Sequence, residues 1–287
     1  MHLSSPSPLH AAQRAHWQVE SLALDAIDPA LIAGDQDLFY LLVSASFVET
    51  GSDTYAANLV AHYADHPSIR AWLGQRWEPE ELQHGRALRR YVEAVWPQFP
   101  WQQAYDRFFA EYAPLCTVEE LNDDQRLEMV ARCVVETGTA AYYHTLRELS
   151  REPVLRQLLD HIRSDEVGHY KHFLQYFKQL QAEQPVGRTR IAGALYARLK
   201  ELRDSDSDVA LRHVWAHRST CFADDGQDFA AMAQRLYGRV RRQLPTDMAV
   251  RMLLKPLLLP IRLEALLRPP IARLATWLAL RPVTGHS

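Results

Sequence analysis

The chain has 287 residues, of which 47% are hydrophobic and 23% charged, so it can bury a large core and is neither a low-complexity nor a collagen-like chain. Glycine is scarce, at 11 residues, and the sequence has no Gly-rich phosphate loop and no run of alternating β-branched residues. The formal net charge of −3 gives no overall positive field that would favour nucleic acid. These features predict an all-α protein that does not bind nucleic acid.

The cysteines and the first residues bear on the cellular compartment. Cys116, Cys133 and Cys221 are widely spaced and form neither a metal clip nor an even disulfide framework, which favours a reducing environment. The first residues lack the basic and apolar segments of a signal peptide. No stretch reaches the roughly 18 apolar residues that a membrane span requires. We therefore expect a cytoplasmic protein.

The hydrophobic pattern predicts a leader over residues 1–34, with a short helix from Leu9 to Ile27, followed by a helical bundle over residues 35–182. Each of two helical hairpins is closed by a short turn, and one long crossover joins the two hairpins. This is the connectivity of a four-helix bundle with one crossover. The predicted long helices cover residues 35–66, 68–95, 122–149 and 153–182, and a shorter helix, Trp101 to Tyr112, lies in the crossover.

Residues 187–287 form a predicted C-terminal extension. Further helices are expected over residues 188–243, with a polar break at 204–208. The tail over residues 246–287 has six basic and two acidic residues, a net charge of +4, so the preceding chain carries −7. Its leucines alternate with basic residues, and its prolines are expected to divide it into short amphipathic helices; these are Pro256, Pro260, Pro269 and Pro270.

Two Glu-x-x-His motifs, Glu81 to His84 and Glu166 to His169, lie within the second and fourth long helices. Residues three apart share one face of a helix, so each motif presents a carboxylate and an imidazole to the same point. The first and third helices each carry a lone glutamate, Glu49 and Glu136, which precede the motif glutamates by 32 and 30 residues. Because these arms are nearly equal, we expect all four glutamates at one level of the bundle.

This set of side chains predicts a site for two metal ions. The helix faces that carry the lone glutamates are otherwise apolar, where an unpaired carboxylate would be very costly. Four carboxylates and two imidazoles suit iron or manganese rather than a cysteine-rich zinc site. We expect Glu81 and Glu166 to bridge the metals. The terminal ligands are then Glu49 with His84 and Glu136 with His169.

These motifs resemble those of the ferritin-like di-iron carboxylate superfamily, and most closely those of soluble acyl-carrier-protein desaturases. The segment from Trp77 to Gly85 is similar to the W-x-x-E-E-x-x-H-G run of those enzymes, and Asp165 precedes the second motif as it does there. Thr139 falls where the family carries a threonine beside its oxygen-binding site. Ribonucleotide reductase small subunits carry their radical tyrosine four residues after the first motif's histidine, and this chain has Leu88 at that position. The resemblance covers residues 35–182.

The resemblance implies a di-iron oxidoreductase that activates dioxygen to desaturate or hydroxylate an organic, acyl or lipid-like substrate. It implies two Fe ions, or a Mn/Fe pair, with electrons from an external donor such as a ferredoxin and a substrate that a carrier protein presents. Asp165 is expected to orient a ligand histidine, and Thr139 to assist proton transfer. The alternative is a ferritin-like iron-storage protein with ferroxidase activity only.

The basic tail and the oligomeric state are separate questions. The tail is expected either to pack on the bundle with its arginines outward or to contact anionic lipid or an acidic carrier protein, since basic amphipathic helices favour both. A homodimer is a further expectation.

Overall fold

A computed structural model describes residues 17–118, 121–201, 207–223 and 226–280. Over these ranges the chain contains helices and no strand, which confirms the all-α prediction. No helix in them is long and apolar enough to cross a membrane. The α-helices are α1 (Gln36–Thr50), α2 (Ser52–His62), α3 (Pro67–Trp72), α4 (Glu78–Val95), α5 (Trp101–Tyr112), α6 (Gln125–Leu149), α7 (Pro153–Glu183), α8 (Arg188–Glu201), α9 (Ser207–His217), α10 (Phe229–Gln243), α11 (Thr246–Leu254) and α12 (Ile261–Leu280).

The predicted N-terminal helix is wrong over its described part, and residues 9–16 lie outside the described ranges. The chain forms only short 3₁₀ turns at Val19–Ser21 and Leu24–Ala26. Val19 is buried in the core, and the Trp17 carbonyl accepts a hydrogen bond from Gln83 Nε2 at 3.1 Å. These tertiary contacts hold the segment against the helices, so they override its local helix preference.

The first predicted long helix is interrupted at Gly51, which separates α1 from α2. The Gly51 N–H donates to the carbonyls of Phe47 and Val48, which closes the last turn of α1. The apolar pattern continues across this point, so periodicity alone predicts one helix over residues 35–66. Gly51 and Ser52 are the local signal for the break.

The second predicted helix is present over residues 67–95, but it contains one wider turn. Leu73–Trp77 is π-helical, and the Glu78 N–H donates to the Leu73 carbonyl five residues back. Pro79 explains the widening, because a proline ring clashes with the carbonyl four residues before it in a regular α-helix. The π segment therefore joins α3 to α4 without ending the helix.

The remaining long helices begin and end close to the predicted residues. The Asp124 side chain accepts the Arg126 N–H at the start of α6, and the Glu152 side chain accepts two N–H groups at the start of α7. Helix α6 packs along α7, α1 packs along α4, and the two pairs meet through α4 with α7 and α1 with α6. Four helices therefore surround one interior, where the predicted ligands lie.

The C-terminal extension is helical in its described part and packs on these four helices. Helices α8 and α11 contact α6, α9 contacts α1 and α5, and α12 lies on α11. Of the predicted polar break, residues 204–206 lie outside the described ranges, while residues 207 and 208 open α9. The helices expected over residues 188–243 are otherwise present.

The prediction that four prolines divide the tail is wrong for two of them. Pro256 and Pro260 lie between α11 and α12, but Pro269 and Pro270 lie inside α12. A proline removes the hydrogen bond to the carbonyl four residues back, here of Ala265 and Leu266. Both residues are exposed, so water can satisfy their carbonyls and the helix continues.

Candidate metal centre

The six predicted metal ligands come together in the interior of the protein. Helix α1 supplies one of them, α4 two, α6 one and α7 two, and all six side chains are buried. We call Glu49, Glu81, His84, Glu136, Glu166 and His169 the six-residue cluster. Their candidate ligand atoms form two groups, each within 4.8 Å, namely Glu49, Glu81, His84 and Glu166, and Glu81, Glu136, Glu166 and His169.

Both groups contain Glu81 and Glu166, the residues predicted to bridge two metals. The His84 Nδ1 atom lies 3.3 Å from a Glu166 oxygen and 3.8 Å from a Glu81 oxygen. The His169 Nδ1 atom lies 3.0 Å from a Glu81 oxygen and 3.8 Å from a Glu166 oxygen. Each histidine thus faces both shared carboxylates from its own side.

The terminal carboxylates complete the two groups. A Glu49 oxygen is 3.8 Å from His84 Nδ1, and a Glu136 oxygen is 3.5 Å from His169 Nδ1. Within the described residues, four inward-facing atoms have no hydrogen-bond partner although they are buried: both Nδ1 atoms, one Glu136 oxygen and one Glu166 oxygen. Buried polar atoms are rarely left unpaired. A cation between them would satisfy these atoms, so the residues fit a metal site.

The outward nitrogen of each histidine contacts a further acid. The His84 Nε2 atom is 3.2 Å from Asp165, and the His169 Nε2 atom is 2.8 Å from Glu80. An acid at Nε2 favours the proton on that nitrogen and leaves the Nδ1 lone pair for a metal. The predicted contact of Asp165 with a ligand histidine is therefore present. Glu80 was not predicted, although it directly precedes Glu81 as Asp165 precedes Glu166.

Neutral donors hold the carboxylate oxygens in position. The Thr139 hydroxyl donates to Glu166 at 2.8 Å, so the predicted threonine lies against a shared carboxylate. The Tyr143 hydroxyl donates to Glu49. Sequence reasoning missed this contact, yet Tyr143 lies seven residues after Glu136 and thus shares its face of α6.

Two tryptophans approach the cluster from opposite ends. The Trp77 indole donates to a Glu136 oxygen at 3.2 Å. The Trp17 indole donates to Asp165 at 2.7 Å and stacks on the His84 ring, with the centroids 6.1 Å apart. Both side chains are buried. Their N–H groups fix the acids, and their rings limit the access of water.

Burial and close neighbours shift the pKa values of the cluster. Burial and the neighbouring Glu81 carboxylate raise the pKa of Glu49 to about 8, and burial raises the pKa of Glu136 well above its usual value. Burial alone would lower the pKa of His84, but the carboxylates beside it, Asp165 at Nε2 and Glu166 at Nδ1, raise it well above the ordinary range. The metal-free cluster therefore retains protons, and a bound cation would displace them.

A comparison with models of protein families and with curated proteins finds no match to this chain. The functional assignment therefore rests on the geometry of the six-residue cluster and on the motifs that form it.

Proposed function

We propose that the six-residue cluster binds two metal ions and that the chain is a ferritin-like, non-haem di-iron oxidoreductase. The observation that carries the proposal is the pair of four-residue groups that share Glu81 and Glu166. Glu49 and His84 would hold one ion, and Glu136 and His169 the other, with the shared carboxylates between them. In this division each metal would be held by one terminal carboxylate, one imidazole and the shared carboxylates of Glu81 and Glu166.

The donor set supports iron, with a Mn/Fe pair as the variant. Oxygen-rich ligation with one imidazole per metal suits Fe and Mn, whereas structural zinc sites are usually rich in cysteine. Four protein groups per metal leave coordination positions for small molecules. The buried charge also supports two divalent ions, because together they would balance four carboxylates in an interior that excludes water.

Iron, when bound, supplies the redox chemistry that activates dioxygen. The protein's own residues orient the ligands and keep water out. Thr139 holds its hydroxyl proton at a Glu166 oxygen, where it can be passed on during turnover. Trp72 and Phe173 add apolar walls, their rings lying 5.0 Å apart, with Trp72 at 6.4 Å from the His169 ring.

The reaction class is inferred from the sequence resemblance. We propose desaturation or hydroxylation of an acyl or lipid-like substrate, delivered free or on a carrier protein. The chain has no flavin or nicotinamide motif, so an external donor such as a ferredoxin would supply the electrons.

Metal analysis tests the site. The protein, loaded with ferrous iron in the absence of oxygen, is expected to retain two iron ions per chain. The variant Glu136→Ala is expected to lose iron. Glu148→Ala is the matched control, because Glu148 lies on the same helix but is at the surface and pairs with Arg147. Unchanged iron stoichiometry in Glu136→Ala would refute the assignment.

A second measurement separates an oxidoreductase from a storage protein. Oxygen consumption and product formation with a ferredoxin, its reductase and acyl substrates support the oxidoreductase. Size-exclusion chromatography with an iron assay tests the alternative. A large multimer with many iron ions per chain and a mineral core would instead support storage with ferroxidase activity.

A further inference from the structure

Helix α12 carries a row of apolar side chains on its outer face. Leu263, Leu266, Pro270, Leu274 and Trp277 succeed one another at intervals of three and four residues, which places them on one side of a helix. Leu266 is 71% exposed, Leu274 53% and Trp277 50%. We call these five residues the outer stripe. It extends over about 21 Å at the rise of an α-helix.

The opposite face of α12 is fixed by α11. Ala272 is buried against Val250 and Leu254. Glu264 pairs with Lys255 at 2.8 Å, and Arg268 approaches Asp247 at 3.4 Å. Because these contacts orient the helix, Leu263, Leu266 and Leu274 of the outer stripe face away from α11 and are exposed.

The charge around the outer stripe is positive. Arg262 and Arg273 lie beside it along the helix and are exposed. The acidic residue of α12, Glu264, lies on the inner face and is already paired. The tail over residues 246–287 has a net charge of +4. A basic helix with exposed leucines and a tryptophan has the composition of a helix that lies in a lipid–water interface.

We propose that α12 binds the surface of an anionic membrane, with the outer stripe in the headgroup region and Arg262 and Arg273 at the lipid phosphates. The charge distribution favours lipid over a second copy of the chain. In a symmetric pair of α12 helices the arginines of both copies would border the same seam, and the outer face offers no carboxylate to balance them. This inference does not depend on the metal site.

Vesicle cosedimentation with the full chain tests the proposal. The wild type is expected to bind phosphatidylcholine vesicles that contain phosphatidylglycerol more strongly than pure phosphatidylcholine vesicles, and salt should weaken the binding. Leu266→Glu is expected to weaken binding by about tenfold or more, because it removes one buried leucine from the interface. Arg262→Gln with Arg273→Gln is expected to weaken it by about fivefold for each arginine.

The matched control is Leu115→Glu, which places the same charge at a leucine that is 49% exposed outside the tail. Its binding to vesicles should equal that of the wild type. Point substitutions are preferable to removal of residues 246–287, because Met252 of α11 is buried and its carbonyl accepts the Tyr170 hydroxyl at 2.6 Å. Thermal unfolding of each variant verifies that the fold is kept.

Two results would overturn the proposal. The first is a wild type that does not bind vesicles, or that binds them no more strongly than Leu266→Glu does. The other is a wild type that sediments as a dimer without binding vesicles and becomes a monomer on Leu266→Glu, which would assign the outer stripe to contact between copies.

Discussion

Asp165 and Glu80 occupy equivalent positions around the six-residue cluster. Each directly precedes a shared glutamate in sequence, and each contacts the Nε2 atom of the histidine on the other motif's helix. Asp165 is further held by the Trp17 indole, and Glu80 by Arg76 at 3.2 Å. The two motifs therefore orient each other's imidazoles, so each helix depends on its partner for ligand geometry.

Asp165→Asn and Glu80→Gln are each expected to weaken metal affinity by about 10- to 100-fold, because the histidine loses the acid that fixes its tautomer. Competition with a chelator measures the affinity. Asp160→Asn provides the control on the same helix, since Asp160 pairs with Arg147 and Arg163 away from the cluster. Equal affinity in Asp165→Asn and Asp160→Asn would contradict the orienting role.

A buried ion pair lies on α6 below the cluster. The Arg132 Nε atom is 2.6 Å from a Glu128 oxygen, and both side chains are almost fully buried. The Arg132 guanidinium also lies over the Tyr55 ring, 4.5 Å from its centroid, while the Asn122 N–H donates to Glu128. Arg132 thus packs between α6 and Tyr55 of α2, one helical turn before Glu136.

Glu128→Gln is expected to lower the free energy of unfolding by about 3 to 5 kcal/mol, because it leaves the Arg132 charge buried without a carboxylate. Adding Arg132→Met should recover part of the loss. Denaturation in urea measures both variants. Asp160 pairs with Arg147 and Arg163 nearer the surface and gives the contrast. Asp160→Asn should lower the free energy of unfolding by no more than about 1 kcal/mol. A double variant less stable than Glu128→Gln alone would contradict this account.

At the level of helices, Gly85 sets the approach of α4 to α1. A Cβ atom added at Gly85 would lie 2.7 Å from the Thr50 backbone nitrogen and 2.8 Å from its Cα. Gly85 directly succeeds His84, and Thr50 directly succeeds Glu49, so this close approach of the two helices lies next to two residues of the six-residue cluster. The glycine therefore allows the carboxylate and the imidazole to meet.

Gly85→Ala is expected to push α1 and α4 apart, because the clashing atoms belong to the backbone and cannot move aside. We expect lower stability and loss of iron from the side of Glu49 and His84. Iron stoichiometry and thermal unfolding are the measurements. Gly168→Ala is the matched control in the other motif, where an added Cβ meets nothing within 4 Å.

In that control, alanine replaces glycine inside a helix and should raise stability by roughly 0.5 to 1 kcal/mol. An equal effect of the two alanine substitutions would show that the contact at Thr50 does not restrain the helices.

The convergence of the six-residue cluster could be predicted from the sequence because it depends on helix periodicity and on two nearly equal spacings. The missed features depend on contacts between distant parts of the chain or on local backbone geometry. Nothing in the spacing distinguishes Glu80 from a surface acid, and the apolar pattern crosses Gly51 without a change. The prolines of α12 were expected to end a helix, but an exposed position lets water replace the missing hydrogen bonds.

For the molecule as a whole, the proposed metal site would couple metal binding to folding. Without a cation, four carboxylates share a buried site, and burial together with the neighbouring Glu81 carboxylate raises the pKa of Glu49. A metal that binds only the folded chain stabilises it by about 2.7 kcal/mol at a free concentration one hundred times its dissociation constant. The iron-loaded protein should therefore unfold at a higher temperature than the metal-free protein.

Thermal unfolding with ferrous iron and with a chelator tests this coupling. The unfolding midpoint is expected to rise by several degrees with iron and to return when the chelator is added. Glu136→Ala should abolish the shift, whereas Glu148→Ala should keep it. A midpoint that is insensitive to iron in the wild type would indicate that the buried acids serve packing alone.

The π segment Leu73–Trp77 has a consequence for the history of the gene. A π turn holds one residue more than the α turn it replaces, so loss of a single codon there together with replacement of Pro79 would restore a regular helix. The motif from Glu81 to His84 lies after this point and would keep its spacing. Trp72 lies before it and would rotate by about 100° relative to the ligands, as one residue does in an α-helix. Two such sequences would align with one gap beside Gly74, with the six-residue cluster unchanged and Trp72 on a different side of the helix.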